Sequence, residues 1–212
     1  NRLANTLWWA WRTLLWASRP RLRGTPPPPL RGLLAEAART LVVSWLPLYH
    51  DMGLVSSCTP LMLGGRADLL SPMSFLQRPL CWLQAVSRRD GCHVATTAPN
   101  LAYDLCLRKT SAAERRALQL GHCVFGNAAE PVRPRTLRAF AETFGACGFS
   151  SEAWMMMFGL AESVCYVAGC AGAPTTIAVD RHALDVGTAC RRCGRETRTV
   201  HQPLESVSDA SV

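Results

Sequence analysis

Five short apolar runs, each stopped by proline, glycine or a small polar loop and followed by residues at helical spacing, dominate the chain between Thr40 and Phe158. The runs are residues 41–46, 67–70, 93–98, 123–127 and 154–158. Their length and composition predict strands, the first of them buried. Pro47 cannot donate a ladder hydrogen bond, so the first strand stops there. The intervening segments predict helices. One spans residues 53–62. A second is launched by the loop 71–79 and runs to about residue 89, with Leu80, Trp82, Leu83 and Val86 on one face and Gly91 as its stop. A third starts at Pro99, whose fixed φ suits a first turn. A short fourth carries the capping pair Ser111 and Glu114. A fifth spans residues 133–144, turns Leu137, Phe140, Ala141 and Phe144 inward, and breaks at Gly145 and Gly148. Gly159 turns the last strand into a helix near Ala161. Strands alternating with helices imply an α/β fold, a mostly parallel sheet flanked by helices. Beyond Val167 the pattern fades. Residues 171–174 read as loop, 180–186 as a short helix, and the polar tail 196–212 as disordered or foreign to the domain.

In a parallel sheet all strand C-termini share one rim, and open α/β sheets bind ligands there. The segments that follow the strands are chemically distinctive. The first offers Tyr49, His50 and Asp51; the next Pro99 and Asn100; the third Asn127, Ala128, Ala129 and Glu130; the fourth Phe158, Gly159, Leu160, Ala161 and Glu162. An aromatic face suits a nucleobase, small residues let a ligand approach the backbone, and one carboxylate suffices for a magnesium ion that also takes phosphate and water ligands. Spacing alone leaves plainer roles open. Phe158 also suits a core, Glu162 a helix first turn favoured by the dipole, and His50 a hydrogen-bonded loop.

Composition excludes several classes. The formal charge is +8, yet the basic residues are arginines with the single exception of Lys109, and they are scattered. A nucleic-acid groove needs them clustered with interleaved aromatics, so no nucleic-acid partner is expected. The 10 cysteines lie mostly within apolar runs, as buried thiols do in a reducing, cytoplasmic setting. Cys190 and Cys193 form a lone CxxC, half of a zinc site. Residues 1–39 differ from the rest, with four tryptophans, six arginines up to Arg31, no acid before Glu36, and the polyproline run 26–29. Arg12 interrupts an apolar run too short to span a bilayer, so stable membrane insertion is not expected. The same run with basic flanks also matches a targeting segment.

The string from Ser44 through Trp45, Pro47, Tyr49, His50, Asp51 and Gly53 to Leu54 resembles the fatty-acyl-AMP ligases, a branch of the adenylate-forming (AMP-dependent synthetase and ligase) superfamily. Residues 127–132 are similar to that family's Asn-Gly-Ala-Glu-Pro-Val string, and 158–162 to its Tyr-Gly-Leu-Ala-Glu string. Residues 71–83, 98–109 and 193–195 also read like the same branch. The resemblance implies a partial N-terminal adenylation domain over residues 40–195. It implies that Asn127, Ala128, Ala129 and Glu130 contact adenine, that Phe158 stacks on it with Gly159, Leu160 and Ala161 beside it, and that Glu162 coordinates Mg2+ on the phosphates of ATP. Tyr49, His50, Asp51, Pro99 and Asn100 would then lie toward the fatty acid. Residues 167–192 resemble the insertion that, in this branch, goes with delivery of the acyl group to an acyl carrier protein rather than to CoA.

The chain departs from the family pattern in ways that shape the expectation. Ala128 stands where the family has glycine. A phosphate loop upstream of Trp45, an aspartate string for the ribose after Arg195, and a C-terminal lid with its lysine have no counterpart in the sequence. Residues 1–39 therefore read as an unrelated leader, the chain as a fragment of the ligase, and the fragment as inactive alone. The alternatives are a catalytically dead relative that binds or scaffolds, and a thiolating acyl-CoA synthetase.

Overall fold

The computed structural model describes residues 35, 38–87, 93–163 and 165–176. Six strands form one sheet in the order β2-β1-β3-β4-β5-β6: β1 (Thr40–Ser44), β2 (Arg66–Leu69), β3 (His93–Ala98), β4 (Cys123–Asn127), β5 (Trp154–Phe158) and β6 (Ala168–Ala171). The first five are parallel. The sixth runs antiparallel to β5, pairing Phe158 with Ala168 and Met155 with Ala171. Parallel neighbours need crossovers, and helices supply them: α1 (Asp51–Met62), α2 (Pro72–Gln77), α3 (Leu80–Val86), α4 (Asn100–Lys109), the single turn α5 (Ala112–Arg115) and α6 (Pro134–Phe144). The strand order reverses between β1 and β3, the kind of switch point at which open sheets form ligand crevices.

The period-2 alternation of the strands sorts their side chains. Leu41, Val43, Val94, Ala98, Cys123 and Phe125 point into the larger core, while Val42, Ala95 and Val124 form a small cluster on the opposite face. The larger core is aromatic. Trp82, Tyr103, Phe125, Phe140, Phe149 and Trp154 meet mostly edge to face, with ring centroids 4.9 Å apart for Tyr103–Trp154 and 5.2 Å for Phe125–Phe149. Trp82 in α3 donates its Nε1–H to Thr96 Oγ1 (2.8 Å), and the Thr96 hydroxyl donates to the Val43 carbonyl (2.7 Å). One polar chain thus ties a helix to two central strands inside an apolar layer.

Three expectations change. Residues 71–89 do not form one loop and one helix. Pro79 has no N–H and keeps Arg78 out of the helical region, at φ −138° and ψ 83°, so α2 ends at Gln77 and α3 begins at Leu80. The first helix begins at Asp51 rather than residue 53, because His50 caps it. As expected, α6 ends at Phe144 with Gly145 as its cap, and a 3-10 turn then leads to Gly148, at φ 84°. After Gly159 the chain makes only the 3-10 turn Ala161–Ser163 and returns as β6. Gly91, the segment 180–186, the Cys190 and Cys193 pair, residues 193–195, the tail 196–212, and the leader apart from residues 35, 38 and 39 lie outside the described residues. Among the described residues, no helix is long and apolar enough to cross a membrane.

Candidate active site

The C-terminal ends of the parallel strands do share a rim, and the segments after β1, β4 and β5 enclose one cleft of about 270 Å³. It is lined by His50, Asp51, Met52, Ala128, Ala129, the run from Met157 to Ala161, and Cys165 with Tyr166. Eight of the residues singled out in the sequence meet here: His50, Asp51, Ala128, Ala129, Phe158, Gly159, Leu160 and Ala161. Tyr49, Pro99, Asn100, Asn127, Glu130 and Glu162 lie outside this lining. Met52, within the string from Ser44 to Leu54, and Met157, whose type suggests core, also line the cleft. Cys165 and Tyr166 carry no signal in sequence, since only the return of β6 brings them to the cleft.

Each wall has a local cause. After β1, His50 N–H donates to the Pro47 carbonyl (3.1 Å), closing a turn that aims the chain into α1. Met52 N–H donates to Asp51 Oδ1 (2.7 Å) and to His50 Nδ1 (3.2 Å), which also lies 2.8 Å from Asp51 Oδ1. A proton on Nδ1 bonds to Asp51; without it Nδ1 accepts from Met52. The turn closes over Gly53, where any Cβ would run into the Pro47 carbonyl. Tyr49 is 94 % exposed beside it.

After β4, Ala129 takes φ 73°, a left-handed conformation uncommon outside glycine. Strain of this kind persists only where neighbours hold it. Asn100, fully buried at the start of α4, supplies much of that hold. Its Nδ2 donates to the Pro131 carbonyl (2.9 Å), and its Oδ1 accepts from Asn127 Nδ2 (3.1 Å) and from Arg133 N–H (3.0 Å). Backbone partners on both ends fix the amide orientation of Asn100, which in turn requires Asn127 to present Nδ2 to it. Asn127 Oδ1 is left buried with no hydrogen-bond partner among the described residues. Glu130 accepts weakly from Leu101 N–H (3.4 Å), and Arg133 stands 3.9 Å from both Glu130 and Asp104.

After β5, Phe158 turns outward and is 62 % exposed at the cleft. Gly159 lies directly against the Cys165 carbonyl, so only a residue without Cβ lets the hairpin fold back. Burial, with the Asp51 carboxylate adding to it, pushes the Cys165 thiol up to about 11. It faces the cleft as a neutral, weakly nucleophilic group. Glu162 is exposed on the 3-10 turn that follows Phe158. Among the described residues, no three His, Cys, Asp or Glu side chains gather as a metal cage. A cation here would rest on one carboxylate plus ligands brought by a substrate, a donor set that suits Mg2+ on phosphates.

A family model described as AMP-binding enzyme matches residues 26–200. The long-chain-fatty-acid–AMP ligase FadD26 of Mycobacterium tuberculosis (strain ATCC 25618 / H37Rv) is 42% identical over 159 residues, which cover 73% of this chain and 27% of that protein. The putative fatty-acid–CoA ligase FadD21 of Mycobacterium bovis is 39% identical, over 76% of this chain and 28% of its own length. Among solved structures, the fatty acyl-adenylate ligase from L. pneumophila, in complex with acyl adenylate and pyrophosphate, superposes with a TM-score of 0.60 at 35% identity. The match covers 68% of this chain and 26% of that one. A structure from work on fatty acyl-adenylate ligases of E. coli and L. pneumophila gives 0.63 at 32%, over 75% and 29%. The chain thus spans little more than a quarter of the curated relatives' length. With the sheet order, the rim and the family model in agreement, this chain belongs to the AMP-binding enzymes, and its relatives are named for joining fatty acids to AMP or to CoA.

Proposed function

We propose that the cleft holds the adenylate of a fatty acyl-AMP, and that residues 40–195 are the part of an adenylation domain that contributes this rim. Phe158 stacks on the base, with Gly159, Leu160 and Ala161 along its edge. Ala128 and Ala129 bring backbone groups close to it, and Asn127, buried at the foot of their loop, backs them on the adenine side. Glu130 flanks that loop. Tyr49, His50, Asp51 and Pro99 face the acyl side. Glu162 is the carboxylate for a Mg2+ ion, which when bound offsets charge on the phosphates of ATP. In the reaction a fatty carboxylate oxygen attacks the α-phosphorus of ATP. The bond from that phosphorus to the bridging oxygen breaks, and acyl-AMP and pyrophosphate result. The rim contributes orientation, which in a two-substrate step is a large share of catalysis. Onward transfer to an acyl carrier protein rests on the resemblance of residues 167–192 to the insertion of the acyl-AMP ligase branch.

The observation that carries this reading is that segments far apart in sequence, after β1, β4 and β5, line one cleft at the C-terminal rim. Grafting residues 40–176 into the corresponding stretch of FadD26 tests it. The chimera is expected to exchange labelled pyrophosphate into ATP in the presence of long-chain fatty acids, whereas the 212-residue chain by itself is expected to give none. A folded chimera that binds AMP yet exchanges nothing would overturn the catalytic reading. It would favour a binding relative, with Ala128 crowding the cleft.

A further inference from the structure

We propose that Asn100 is a positioning residue for the nucleotide loop rather than a contact of the fatty acid. The inference rests on the nucleotide reading above. Sequence position puts Asn100 at the mouth of the crossover after β3, among residues expected to meet the acyl chain. Its side chain, however, is fully buried and spent on the neighbouring loop. One donor goes to Pro131, and the oxygen receives both Asn127 and the backbone of Arg133. These bonds bracket residues 127–133 at both ends. Between them sits Ala129 in its left-handed conformation, with Ala128 on the cleft wall.

Two further ties lead from the loop to the same neighbourhood. Ala128 N–H donates to the Ala98 carbonyl (3.3 Å), and Glu130 meets Leu101 N–H. Without Asn100 the buried amide of Asn127 loses a partner it cannot replace from water, and the Pro131 carbonyl and Arg133 N–H lose their tie to α4. The loop then relaxes away from the shape in which Ala128 and Ala129 form a wall. Asn100 thus acts through Asn127 and the loop, and touches neither base nor acyl chain.

The test measures AMP binding to the 212-residue chain by calorimetry, together with binding of a non-hydrolysable acyl-adenylate mimic. Three variants are compared with the unaltered chain. Asn100→Ala removes all three bonds. Asn100→Asp keeps the acceptor for Asn127 and Arg133 but sets an oxygen against the Pro131 carbonyl, and it decides the matter if Asn100→Ala does not fold. Thr110→Val, at the far end of α4, removes the buried bonds to Cys106 and Arg115 and serves as a destabilised control remote from the loop. The expected result is a loss of roughly tenfold or more in AMP affinity for folded Asn100→Ala, from three lost hydrogen bonds of ordinary strength, and a loss in the same direction for Asn100→Asp, where one bond turns into repulsion, with Thr110→Val unchanged. Equal affinity for the unaltered chain and the Asn100 variants would overturn the proposal. So would a loss shared with Thr110→Val, which would mean that affinity follows stability, or a loss confined to the acyl-adenylate mimic, which would mean acyl contact. Failure of the unaltered chain to bind AMP would overturn the nucleotide reading itself.

Discussion

Burial fixes the chemistry of individual side chains here more than charge does. The thiol of Cys123, in β4 and against Val86, is pushed from its ordinary 9.0 up to about 12, and that of Cys165 up to about 11. Burial also raises Cys106 and the Tyr103 hydroxyl. Between their ordinary values and these raised ones, the folded chain keeps protons that the unfolded chain has released. The unfolded state then binds fewer protons, so stability is intact below pH 9.0 and falls as pH rises toward 12. Urea midpoints taken at about pH 8 and about pH 10.5 are expected to decline, and to decline less in Cys123→Ala. A midpoint that held level or rose would contradict the buried placement of these groups. At this scale sequence was a partial guide. It named Phe158, Ala128 and Ala129 for the cleft, but it had no access to Asn100 as an internal clamp, because a polar residue at a helix start looks the same whether it faces ligand or loop.

Among the elements, the bond chain from Trp82 through Thr96 to Val43 joins α3, β3 and β1 across the centre of the sheet. Thr96→Val preserves shape but strands the indole N–H of Trp82, which is wholly buried. The expected cost is about 1–3 kcal/mol, read as a lower denaturant midpoint with an unchanged slope. No measurable change would mean that the indole has another partner. The strands β1, β4 and β5 were legible as short apolar runs, and β3 as a β-branched and small-residue run, each followed by a clear breaker. The end of α2 was not, since the apolar spacing of 75–86 continues through Pro79 and only the missing N–H divides it. The strand β6 (Ala168–Ala171) was invisible for another reason. Alanine, glycine and cysteine carry no strand preference, and pairing with β5 rather than propensity makes it a strand.

For the whole molecule, the decisive property is the sheet order. Because β1 lies between β2 and β3, the segment carrying His50 and Asp51 comes to the same rim as the segments after β4 and β5. That convergence was legible in outline from parallel α/β logic. The closing wall of Cys165 and Tyr166 was not, since it depends on an antiparallel return that no periodicity announces. Chemical-shift mapping with AMP tests the convergence most directly. Shifts are expected at Asp51, Met52, Ala128, Ala129, Phe158, Gly159 and Tyr166, with the opposite ends of the strands, at Thr40, His93, Cys123 and Trp154, unmoved. Shifts centred on those opposite ends, or scattered over both faces of the sheet, would contradict it.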